Sequence, residues 1–159
     1  MIGTLLMASL LVMSAPTAGS ASRDGGTLDG FAVTHIPATA GESVSDFESE
    51  WEDVAFTTRV WEREIPEGHQ ADLRVAVLRG DGLTDLPSLR EFLTEYDERE
   101  TWDLQEFSKD GTPGLATKTE AFWLDSPGVA LTVRITENPL TGDDLMDVVR
   151  GIRPASSPA

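Results

Sequence analysis

The stretch VSDFESEWEDVAFTTRVWER, residues 44–63, decides how the rest of the chain is read. It is rich in β-branched and aromatic residues, yet much longer than an ordinary strand of about five or six residues. Its hydrophobic phase also changes partway. Phe47 and Trp51 occupy odd positions, whereas Val54, Phe56, Thr58 and Val60 occupy even ones. A strand alternates faces with period two, so the switch demands a bulge or a tight turn near Glu52-Asp53.

Working outward, Gly30 to Ile36 reads as a strand ending at Pro37, and Pro37 to Ser43 as a turn region. Pro66-Glu67-Gly68 turns the chain into Ala71–Arg79, where Leu73, Val75 and Val77 alternate with Asp72, Arg74 and Ala76. Thr84 or Asp85 caps a helix that has Pro87 in its first turn and a stripe of Leu86, Leu89, Phe92, Leu93 and Tyr96. Three strands follow, over 102–107, 115–123 and 129–135, separated by Gly- and Pro-containing turns. Thr141 caps a last helix with an apolar face of Leu145, Val148, Val149 and Ile152, and Pro154 stops it. The sum is one α+β domain over residues 30–153, with two helices packed on a mainly antiparallel sheet of about six to seven strands, in the order ββββ-α-βββ-α. Residues 23–29 read as a linker and residues 154–159 as a flexible tail.

Residues 1–22 carry no charged side chain, and an apolar run from Leu5 to Met13 is followed by small residues up to Ser22. The run is shorter than the ~20 residues that span a bilayer. This is the pattern of a cleaved signal peptide, although the usual basic residue near its start is missing. The expectation is therefore a secreted or extracytoplasmic protein of the cell envelope, and not an integral membrane protein once the leader is removed.

The 159 residues hold 28 Asp+Glu against 12 Lys+Arg and carry a formal net charge of −16. That balance repels phosphate backbones, so nucleic acid is not expected as a partner. The absence of Cys excludes disulfides, thiolate metal sites and cysteine nucleophiles. His35 and His69 stand in no metalloprotease motif, and no nucleophile elbow, phosphate loop or dinucleotide fingerprint is present. No catalytic residue, metal ligand or cofactor is expected.

Two blocks carry a resemblance: Gly30-Phe31-Ala32-Val33-Thr34, and Ser45 through Phe56 running into Arg59-Val60-Trp61-Glu62. Together they resemble small exported actinobacterial proteins of unknown function. The closing block, from Phe122-Trp123 to the helix ending near Ile152, is similar in architecture to PsbP-like and mycobacterial lipoprotein envelope domains. This chain has no Cys to acylate, and the resemblance carries over no catalytic residue.

The most unusual feature is the carboxylate row Asp46, Glu48, Glu50 and Glu52. In an extended strand these four project from one face at ~6.5–7 Å intervals, with Phe47, Ser49 and Trp51 on the other. Such a row is either solvated and balanced by neighbouring arginines, or answered by a basic protein or peptide, or completed by a second segment into a divalent-cation site. A second acidic group, Glu95, Asp97, Glu98, Glu100, Asp103 and Glu106, reads as a solvated loop. The expected function is a secreted, acidic, non-catalytic binding domain that uses Asp46, Glu48, Glu50 and Glu52, with Trp51 or Trp61 as an aromatic anchor. The alternatives are an envelope hydrolase using a carboxylate pair and a divalent-cation-binding domain.

Overall fold

A computed structural model describes residues 22–155 of the chain. The leader expected over residues 1–22 lies outside the described residues except for Ser22, and residues 156–159 lie outside them as well. The elements are β1 (Ser22–Arg23), β2 (Thr27–Leu28), β3 (Phe31–Val33), β4 (Ile36–Pro37), β5 (Ser43–Trp51), β6 (Val54–Ile65), β7 (Gly68–Arg79) and α1 (Leu86–Tyr96). After these come β8 (Gln105–Lys109), β9 (Thr112–Ala116), β10 (Glu120–Ser126), β11 (Val129–Ile135), α2 (Gly142–Arg150) and β12 (Ile152–Pro154).

The architecture is α+β, with two helices and one large antiparallel sheet of seven strands in the order β5-β6-β7-β11-β10-β9-β8. A three-stranded sheet, β12-β3-β2, and the pair β1-β4 accompany it. The phase change in residues 44–63 resolves as a two-residue hairpin turn. Glu52 and Asp53 take φ of 49° and 61°, the left-handed values of a type I′ turn, and Trp51 faces Val54 across it.

Cross-strand pairing sorts the side chains into two layers. Trp61, Leu73, Val75, Val77, Leu131, Val133, Ala121 and Trp123 form one face, which packs against α2 and the small sheet. Phe56, Ala76, Leu78, Ala130, Phe122 and Leu115 form the other, which packs against Leu89 and Leu93 of α1. Both helices begin with reciprocal capping boxes, Asp85 with Ser88 and Thr141 with Asp144.

Several expectations are corrected. The single strand over 115–123 is two, because the chain reverses at Thr117-Lys118-Thr119, where no Gly or Pro announces a turn. Residues 23–29, expected as a linker, contain β2 and the buried Leu28, and their backbone is gripped by arginines of the large sheet. Arg59 Nη1 donates to the Gly25 carbonyl at 2.7 Å, and Arg79 Nη2 to the Asp29 carbonyl at 2.9 Å. The second helix ends at Arg150, and Ile152 belongs to β12, pairing with Val33 of β3. Pro154, placed in the tail by sequence, lies opposite Phe31 in the same ladder.

One buried carboxylate organises the long hairpin. Trp61 pairs with Leu73, but Glu62 pairs with Ala71, so Asp72 is the extra residue of a β-bulge. Its side chain is fully buried and accepts hydrogen bonds from the Gly41 N–H at 2.8 Å, Arg63 Nε at 2.7 Å and Gln70 Nε2 at 2.9 Å. Arg63 reaches on to the Thr39 carbonyl, so the loop before β5 is tied to the bulge. Gly41 is required there, since an added Cβ would come within 2.1 Å of the Glu62 backbone.

Without Asp72 the Gly41 N–H is left buried with no acceptor, and Arg63 and the Gln70 amide lose their charged partner. Asp72→Ala is therefore expected to lower the unfolding free energy by about 3 kcal/mol or more in urea denaturation. Asp81→Ala, at an exposed position, is expected to stay within about 0.5 kcal/mol of the parent.

Candidate functional site: an open acidic edge and an aromatic cleft

β5 forms one border of the large sheet, and Ser43 through Glu50 are all exposed. In a two-residue hairpin the pair flanking the turn exchanges both main-chain hydrogen bonds. Trp51 is thus bonded inward to Val54. By alternation, the N–H and C=O groups of Glu50, Glu48, Asp46 and Val44 point away from β6. Three of these four residues, Asp46, Glu48 and Glu50, also carry members of the carboxylate row.

The expected site residues do not all gather. Asp46, Glu48 and Glu50 share one face of β5, but Glu52 sits in the turn beyond the strand. Arg59, directly opposite Asp46, donates to both of its carboxylate oxygens at 2.7 Å. Those hydrogen bonds hold the Asp46 carboxyl below its ordinary 3.8, against a smaller opposing effect of burial. Glu48 and Glu50 make no salt bridge among the described residues.

Neither tryptophan is an exposed anchor beside the row. Trp61 is only 3% exposed and belongs to the core under the small sheet. Trp51 is half-buried on the opposite face, edge-on to Phe92 at 5.4 Å and to Tyr96 at 5.5 Å. It braces α1 against the hairpin. Among the described residues no group of three or more His, Asp or Glu is placed to hold a metal ion.

The other face of the hairpin carries what sequence reasoning missed. A cleft of about 210 Å³ opens between β5–β6 and the C-terminal end of α1. Phe47, Phe56 and Tyr96 line its apolar part, with Phe56 and Tyr96 stacked at 4.8 Å. Arg74, Arg134, Asp97, Glu120 and Glu62 line its polar part. Asp97, expected in a solvated loop, is drawn in by Arg134, whose Nη2 donates to it at 2.9 Å and to Glu120 at 3.0 Å. Arg99 Nη2 donates to the second Glu120 oxygen at 3.0 Å while its guanidinium lies 4.8 Å above the ring of Trp102.

Burial pushes the Glu120 carboxyl above its ordinary 4.5, aided by the nearby Asp97 charge and opposed by the two arginines. Asp97 and Glu120 are close enough to share one guanidinium, but each Glu120 oxygen already accepts from a different arginine. The pair is an electrostatic strut between the C-terminal end of α1 and β10–β11. No signal in the sequence joins positions 97, 120 and 134, because only the folded sheet brings them together.

No protein-family model matches the chain, and neither a curated protein nor a solved structure is detectably similar to it. Among the described residues no helix is long and apolar enough to cross a membrane.

The two shifted carboxyls act oppositely on stability. Asp46 has a lowered folded-state pKa, so its contribution is present above 3.8 and is lost as pH falls through the folded value. Glu120 has a raised one, so its contribution declines as pH climbs from 4.5 through the folded value. In urea unfolding followed across pH, the stability of the parent relative to Glu120→Gln is expected to fall over that upper window. For Asp46→Asn the parent's advantage is expected to grow as pH rises from acid to above 4.

Proposed function

We propose that this chain is an exported, non-catalytic binding domain whose partner is a basic protein or peptide segment, docked as an extra strand on β5. The single observation that carries this reading is the open edge. β5 is a nine-residue strand whose outward backbone groups have no partner among the described residues, and three of the four residues that offer them, Asp46, Glu48 and Glu50, carry a carboxylate. The leader pattern of residues 1–22 supports export, and the net charge of −16 supports a cationic partner.

Edge pairing dictates the pattern of the partner. Residues hydrogen-bonded across from Asp46, Glu48 and Glu50 share the acidic face and are Lys or Arg. The residues between them fall on the face of Phe47 and Ser49 and are apolar, covering Phe47, which is 50% exposed. Main-chain bonds supply affinity that is indifferent to side-chain identity, and the alternation supplies specificity. Arg59 already neutralises Asp46, which leaves Glu48 and Glu50 as the charges available to the incoming strand.

The test is a calorimetric titration with a capped peptide alternating Lys and Val. Binding is expected to weaken about tenfold or more between 0.05 and 0.5 M salt, as exposed charge pairs become screened. The triple variant Glu48→Ser, Glu50→Ser, Glu52→Ser keeps the Asp46–Arg59 bridge and is expected to lose most of the affinity. Glu48→Pro removes one outward N–H without touching the ladder to β6, so it is expected to weaken binding beyond Glu48→Gln. Equal binding by the triple variant and the parent removes the proposal.

A further inference from the structure

The cleft on the opposite face of the hairpin holds two charges that the fold itself does not use. Arg134 is answered by Asp97 and Glu120, but Arg74, directly across from it on the neighbouring strand, makes no salt bridge among the described residues. Two guanidiniums facing each other on one sheet face repel unless both are neutralised. Glu62, two residues along β6 from Val60, the cross-strand partner of Arg74, lines the same cleft and is likewise without a salt bridge among the described residues. Beside this separated pair stands an aromatic wall. Phe47 and Tyr96, two of the three large apolar side chains left exposed among the described residues, face the same opening, at 50% and 41% exposure, and Phe56, stacked on Tyr96, lines it with them.

We propose that this cleft binds a free amino acid with an aromatic or large apolar side chain. Arg74 takes the carboxylate, Glu62 takes the ammonium group, and the side chain lies against Phe47, Phe56 and Tyr96. A plain carboxylate leaves Glu62 unanswered and a plain amine leaves Arg74 unanswered, so only a zwitterion satisfies both. The volume of about 210 Å³ lies below the ~300–1,000 Å³ of sites for drug-sized molecules and suits one amino acid. This site shares Phe47 with the face a docked strand would cover. Its charged groups, Arg74 and Glu62, lie on β7 and β6, so Glu48→Pro tests strand docking and Arg74→Gln tests this site separately.

The experiment is an NMR titration of the protein with three probes of one shape: L-phenylalanine, 3-phenylpropionate and phenethylamine. L-Phenylalanine is expected to bind about tenfold tighter than either probe that lacks one charge, the usual worth of a charged hydrogen-bonded contact. Arg74→Gln is expected to weaken L-phenylalanine and 3-phenylpropionate by about that factor while leaving phenethylamine unchanged. Glu62→Gln is expected to do the converse. Arg74→Lys, which keeps the charge, retains most of the affinity. Neither Arg74 nor Glu62 belongs to the core, and if a variant nevertheless fails to fold, the ranking of the three probes on the parent protein decides. Equal affinity for all three overturns the proposal. So does unchanged L-phenylalanine binding by Arg74→Gln, the lack of saturable shifts at Phe47 and Tyr96, or concentration-dependent shifts there without ligand, which mark a second copy as the occupant.

Discussion

The fold depends on a carboxylate that water never reaches. Asp72 is the surplus residue of a bulge, and its side chain receives a main-chain N–H from the loop before β5, a guanidinium from β6 and an amide from its own strand. A buried charge is tolerated only when its oxygens are this fully occupied. Because strand side chains alternate with period two, one inserted residue changes which side chains enter the core beyond it. The bulge lets Trp61, Leu73 and Val75 stay in the layer under the small sheet while the far end of the hairpin runs out into solvent. Capturing Gly41 at the same time fixes where β5 begins, and with it the register of the acidic edge.

Positive charge is scarce in this chain, and its placement is economical. Arg59 and Arg79 hold the segment leading into β3, Arg63 neutralises the bulge, and Arg99 and Arg134 neutralise the acids beneath α1. Each of these guanidiniums bridges segments distant in sequence. The carboxylates left over gather on the outside, with the border strand taking Glu48 and Glu50. The result is a molecule whose two exposed hairpin faces differ in chemistry: acids and open backbone on one, aromatic rings and a separated charge pair on the other.

How much of this was legible in the sequence follows from the range of the forces involved. The Glu52-Asp53 turn was readable because a phase switch in a period-two pattern is a local fact. The capped helices were readable for the same reason, since Asp85 and Thr141 act within one turn. The reversal at residues 117–119 was not, because tertiary pairing of β9 with β10 supplies the energy that a Gly or Pro turn elsewhere advertises. The strands β2 and β12 are too short to show any periodicity and exist because β3 offers them both of its edges. The acidic row was visible as a pattern, but Trp61 looked available only because cross-strand register, which buries it against Leu73, cannot be read from one segment. The cleft was invisible, since it assembles residues from β5, β6, β7, α1, β10 and β11.

The open border of the sheet bears on solubility. A long, bare strand edge ordinarily invites a second copy to zip alongside and so begin a fibre. In an antiparallel homotypic match, Glu48 and Glu50 of one molecule would meet the acids of the next across a shared ladder. Repulsion of that kind keeps identical molecules apart at neutral pH while leaving the edge open to an oppositely charged strand. The row proposed to meet a basic partner is, by the same electrostatics, a guard against amyloid-like self-stacking.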